Sequence, residues 1–139
     1  MTSGFKLLDH PADLGIEAWG ETVAQAFEQA ATGLMSVIVD LSSVGTQASR
    51  EVTLQASDLE VLLVKWLTEV LYLYDGESFV GREFNIDPLQ DSTLRATIRG
   101  EEFAAEKHAT QLDVKAVTYH QLNVEQAATG ARVQVFLDI

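Results

Sequence analysis

The chain contains no cysteine. That absence excludes disulfide staples, thiolate metal sites and cysteine nucleophiles together. Long apolar runs are also missing, so no segment has the length and hydropathy of a bilayer span. The first residues lack the basic stretch followed by an apolar one that marks a secretory signal, and the cytosol is the expected compartment. Basic residues are scarce: nine Lys and Arg stand against 21 Asp and Glu, a net charge of −12. Nine cations with no basic run do not make a phosphate-binding surface, so stable nucleic-acid binding is not expected. The same balance suits a basic protein partner or a hard cation, and it also serves plain solubility. There is no G-x-x-x-x-G-K-[ST], no G-x-G-x-x-G after a strand and no G-x-S-x-G, which leaves nucleotide binding and serine catalysis without support. The three histidines, His10, His108 and His120, form no H-E-x-x-H spacing.

What is present is the material of one core. The 139 residues are 47% apolar, enough for a single domain over 1–139, with no repeat, linker or low-complexity tract. Phe5 to Leu8 and Leu14 to Trp19 read as strands, the second with Leu14, Ile16 and Ala18 on one face and Glu17 and Trp19 on the other. Thr22-x-x-Gln25 is a capping box, and apolar residues from Val23 to Ile38 follow at three- and four-residue spacing. Leu41 to Ser49 reads as a loop and Glu51 to Ala56 as a strand. Ser57-x-x-Glu60 predicts a second helix, which Asp75-Gly76 ends. It is the more apolar of the two and is expected to be the central core helix, with Trp66 and Tyr72 as packing residues. From Phe79 onward the period is two: strands are expected over 79–87, 93–99, 112–125 and 131–138. Two helices among so many hairpin-joined strands argue for an α+β fold, the helices packed on a largely antiparallel mixed sheet.

The stretch LDHPADLGIEAWG sets Asp9, His10 and Asp13 at the entrance of the second strand, and the sequence closes on Leu137-Asp138-Ile139. With Leu14 and Leu137 facing the core, strand parity turns Asp13 and Asp138 away from it. If the two strands are neighbours, these carboxylates share a site, and carboxylates placed together call for a proton or a cation between them. Oxygen ligands without sulfur favour Ca²⁺ or Mg²⁺, and a terminal carboxylate on Ile139 would add a third anionic group. Aspartates at strand ends also serve as turn and capping residues, so residue type alone leaves both readings open. His10 fits either a ligand or base role or a structural hydrogen bond. Lys115, in VKAVTYH, fits either a partner of the carboxylates or a solvated strand face with its stem packed flat.

Five blocks together resemble the archease family: LDHPADLGIEAWGET with AQAFEQAATGL, then DLEVLLVKWLTEVLYLYD at 58–75, VKAVTYHQL at 114–122, and the ending FLDI. They stand in family order over the whole chain. One departure is Pro11, where the family commonly has Thr; proline stiffens the Asp9–Asp13 loop and removes a hydroxyl. The resemblance implies a protein that is not itself an enzyme and that activates GTP-dependent RNA ligases of the RtcB type in tRNA splicing and RNA repair. Such a protein promotes ligase guanylylation and multiple turnover. The resemblance also implies a divalent metal site, calcium first, with magnesium or manganese as alternatives. The implied ligands are Asp13, Asp138 and Ile139; Asp9, His10 and Lys115 would be supporting or partner-facing. Rival readings are a chaperone or modulator of RNA-modifying enzymes such as methyltransferases, and a small metal-dependent hydrolase, for which the sequence offers no clear base or pocket.

Overall fold

A computed structural model describes residues 2–9 and 13–139; His10 and Pro11 lie outside the described residues. Period-two segments form the strands β1 (Gly4–Asp9), β2 (Asp13–Gly20), β3 (Ala48–Gln55), β4 (Phe79–Ile86), β5 (Thr93–Glu102), β6 (Ala116–Ala127) and β7 (Gly130–Asp138). The helices are α1 (Val23–Ile38) and α2 (Leu59–Glu77). The α+β class holds, and the strands divide into two antiparallel sheets, ordered β1-β2-β7-β6 and β3-β5-β4. No described helix is long and apolar enough to cross a membrane.

The helix starts follow from hydrogen bonding. Thr22 Oγ1 accepts from the Gln25 N–H at 3.1 Å, and Gln25 Oε1 accepts from the Glu21 N–H at 2.9 Å, so two donors at the α1 entrance are satisfied by side chains. The α2 cap is Asp58 rather than the expected Ser57: its Oδ1 accepts from the Val61 N–H at 2.8 Å. A carboxylate one residue later is both a strong acceptor and an anion at the positive end of the helix dipole. Gly76 does not end α2. It stays helical because the Tyr72 ring occupies the space of its missing Cβ, and Ser78 takes the left-handed exit at φ 55°.

The central helix is α1, not α2. Eleven of its residues are buried, against eight in the longer α2, and it packs on β1, β2, β7, β4 and α2 at once. Its small side chains explain this. Ala26, Ala30 and Ala31 are fully buried, and a Cβ at Gly33 would stand 3.0 Å from the Phe5 ring and 3.1 Å from Ile16 Cγ2. Small residues let the helix approach both sheets; raw hydropathy does not measure that closeness. The Trp66 Nε1–H donates to the Phe27 carbonyl at 2.9 Å and ties α2 to α1, and Trp66 is core as expected. Tyr72 is not: half of it is exposed.

The strand expected from Leu112 begins only at Ala116. The preceding segment is engaged at the end of α1, where the Gln111 and Leu112 N–H groups donate to the Ile38 and Val37 carbonyls at 2.8 and 3.1 Å. With no basic residue in its last turn, α1 has its terminal carbonyls satisfied by this returning segment.

Candidate functional site

The antiparallel register of β2 and β7 sets Asp13 directly opposite Asp138, with Leu14 opposite Leu137, Ile16 opposite Val135 and Ala18 opposite Val133. The apolar pairs face the core and are buried, so Asp13 and Asp138 share the other face of the sheet. Side chains directly opposite in such a ladder have Cβ atoms about 4.5–5.5 Å apart. The first strands and the last are therefore neighbours, and two carboxylates meet at their junction. Asp13 is half-buried with Oδ1 enclosed, while Asp138 and Ile139 are exposed.

The remaining candidates are placed less uniformly. Asp9 pairs with Leu14, so it emerges on the face opposite Asp13. Lys115 donates its backbone N–H to the Asp138 carbonyl at 2.7 Å, and Ala116 flanks Asp138 in the ladder. Lys115 thus latches the approach to β6 onto the end of β7, with its side chain exposed. His10 falls outside the described residues.

Two features of this face were not legible in the sequence. A Cβ at Gly15 would stand 2.8 Å from the Phe136 ring, so the phenyl group lies across Gly15 and floors the site two ladder rungs below the carboxylates, on the same face. The second feature is His120. Thr118 pairs with Phe136 and Asn123 with Gln134, so Tyr119 to Leu122 bulge opposite Val135 alone. Gln121 has φ 50°. Three hydrogen bonds hold the bulge: Thr118 Oγ1–H to the Phe136 carbonyl at 3.1 Å, the His120 N–H to Thr118 Oγ1 at 3.2 Å, and Gln134 Nε2–H to the Gln121 carbonyl at 3.0 Å. The result sets the His120 ring edge-on to Phe136 with centroids 5.9 Å apart. Bulges beside functional sites commonly re-aim a side chain in this way. Period-two counting assumes a regular strand and could not find it.

The donor chemistry suits a hard cation. Among the described residues no three Asp, Glu or His side chains converge as a ready-made metal group. The described side chains therefore offer a pair of carboxylates. An open, oxygen-only site of that kind leaves positions for water or for groups from another molecule.

A second acidic site is closed. Glu101, nearly buried, accepts from the Gly45 N–H at 2.7 Å, Gln47 Nε2 at 2.8 Å and Lys107 Nζ at 2.9 Å. His108 Nε2 lies 2.7 Å from its Oε2, and His108 Nδ1 accepts from the Ala104 N–H at 2.9 Å. The Nε2–H tautomer satisfies both ends of the ring. These donors, led by the Gly45 N–H and then His108 and Lys107, lower the Glu101 carboxyl to about 2. Every oxygen is engaged within the chain, so this is a structural knot holding the 44–47 and 103–108 segments to β5.

Residues 5–139 match the sequence model of the Archease protein family (MTH1598/TM1083). The chain is 39% identical to the protein archease of Methanosarcina mazei, over 97% of this chain and 95% of that one. It is 42% identical to that of Saccharolobus islandicus, over 97% and 98%. The solution structure of Methanobacterium thermoautotrophicum protein 1598 superposes with a TM-score of 0.85 at 32% identity, covering 98% of this chain and 99% of that one. A Thermotoga maritima crystal structure, described as an archease and possible chaperone, superposes at 0.67 with 19% identity over 96% of each chain, a likeness of fold. Sequence blocks, topology and relatives agree over almost the full length: the chain belongs to the archease family.

Proposed function

We propose that this protein is a non-enzymatic activator of a GTP-dependent RtcB-type RNA ligase, promoting its guanylylation and turnover, with Asp13 and Asp138 as the working carboxylates. The observation that carries the reading is the direct cross-strand pairing of Asp13 with Asp138, on the face away from the core. Family membership supports it, as does the net charge of −12, which suits docking on an enzyme with a basic RNA groove.

A divalent cation, calcium first, would be held by the Asp13 and Asp138 side chains and a main-chain oxygen of Ile139. When bound it supplies charge neutralisation and positioning for phosphoryl chemistry. The chain's own residues do the rest. Leu14 and Leu137 anchor the two strands in the core, so the carboxylates keep their register. Phe136 over Gly15 makes a rigid floor. Lys115 fixes the end of β7 through its backbone, and His120 borders the face where a ligase-bound phosphate would approach.

The test is the rate of ligase guanylylation with GTP and a divalent metal, using a ligase from the same organism and this protein in sub-stoichiometric amount. Catalytic-level stimulation is expected, and it should be lost in Asp138→Ala. Full stimulation by that variant would remove the carboxylate pair from the mechanism. No stimulation by the native chain would reject the activator role in favour of a general chaperone, the kind of role named for the Thermotoga structure.

A further inference from the structure

Helix α2 lies between two sheet edges, since β3 is the outer strand of one sheet and β6 of the other. Between them runs a groove of about 480 Å³, walled by Leu54 of β3, Val64, Thr68 and Tyr72 of α2, and Tyr119 of the β6 bulge. Tyr119 and Tyr72 are 61% and 51% exposed. Two aromatic rings left in solvent over an apolar floor are costly unless something covers them. Each is carried by an ordered segment. Tyr72 lies on Gly76, and Tyr119 belongs to the hydrogen-bonded bulge that aims His120 at Phe136.

The wall itself carries one cation and one anion, Lys65 and Glu69, and the acidic side chains gather beyond it at the end of α2. Lys65, the basic residue of its wall, already donates to the Gln55 carbonyl at 2.8 Å. The last turn of α2, beside Tyr72, contains Asp75 and Glu77 and no basic residue, although the negative end of a helix dipole favours cations. Asp113 approaches from the segment before β6: burial first, and then the Asp113 charge, raise the Asp75 carboxyl. Burial first, and then the charges of Asp75 and Asp113, raise the Tyr74 hydroxyl. An arginine brought to this corner would stack on an exposed tyrosine ring and pair with both carboxylates.

We infer that this groove is the docking surface for a protein segment that seats an aromatic or aliphatic anchor between Tyr72 and Tyr119 and an arginine or lysine against Asp75 and Asp113. Resting on the activator reading above, the inference assigns that segment to the RNA ligase. Tyr119 on the groove and His120 on the carboxylate face are adjacent residues of one bulge, so a partner gripping the groove is brought to the edge of the Asp13–Asp138 face. Docking and activation then belong to separate side chains.

The two separate in a titration of ligase guanylylation against this protein. Native chain, Tyr72→Ser/Tyr119→Ser, Asp75→Lys and Asp138→Ala are compared, with melting curves confirming that each is folded. The tyrosine pair and Asp75→Lys should each raise the concentration for half-maximal stimulation about tenfold or more while reaching the native plateau. Asp138→Ala should lower the plateau without moving the midpoint. Glu83→Ala, exposed on β4 at the far edge of the three-stranded sheet, should change neither. Native midpoints for both groove variants would overturn the docking surface and leave the activator reading standing. A native chain that neither binds nor stimulates the ligase would overturn both.

Discussion

Two groups of carboxylates in this fold are treated in opposite ways. Glu101 is nearly buried and surrounded by donors from the chain itself: a backbone N–H, an amide, an ammonium group and an imidazole. Asp13 and Asp138 are set directly opposite each other across a ladder, on the face away from the core. The first arrangement is complete without a ligand and holds loops in place. The second sets two carboxylates directly opposite each other at the ends of neighbouring strands, the arrangement on which the proposed cation site rests. A carboxylate's role in this protein is therefore read from its neighbours rather than from its burial.

The largest expected effect breaks the comparison on the functional side. Asp138→Ala should reduce stimulation of the ligase at saturating protein by about 10–100-fold, the loss typical of disturbing a metal site, while its melting temperature stays near native. Glu101→Gln should do the reverse: melting falls by several degrees at neutral pH and stimulation at low temperature is kept. The sign of the pH dependence follows from the lowered carboxyl. Glu101 contributes stability in full above its ordinary value of 4.5 and loses it as pH falls toward about 2. The gap between native and Glu101→Gln melting curves should therefore narrow over that range. An effect of comparable size tests the proposed metal site: calcium at a hundred times its dissociation constant should stabilise the native chain by about 2.7 kcal/mol and leave Asp138→Asn unmoved. The smallest sharpens the contrast most. Without divalent metal and at low salt, Asp138→Asn should be more stable than native by about 0.2–1 kcal/mol, the size of a relieved like-charge pair across a ladder. Equal or lower stability would mean that the pair is not strained.

Local and alternating features were legible in the sequence. The Thr22 cap, the apolar face of α1 and the strand parity that turned Asp13 and Asp138 outward all depend on neighbours a few residues away, and the register bears them out. What was not legible depends on contacts between distant segments. The central role of α1 rests on glycine and alanine admitting a close approach to both sheets; the expectation that α2 is the more apolar helix does not hold, because its leucines are interspersed with Glu60, Lys65, Glu69 and Asp75. The late start of β6 reflects the competing demand of the α1 carbonyls for donors. The position of His120 depends on a bulge that interrupts the period used to read the strand. The Glu101 knot gathers residues from 45 to 108, with no local pattern to announce it.

The most direct test of the carboxylate pair as the working site is a single-turnover guanylylation rate of the ligase at saturating activator, native against Asp138→Ala. The account predicts a fast rate with the native chain and a rate near that of the ligase alone with the variant, both proteins being folded and bound. Equal rates would contradict it and reduce Asp13 and Asp138 to residues that end their strands.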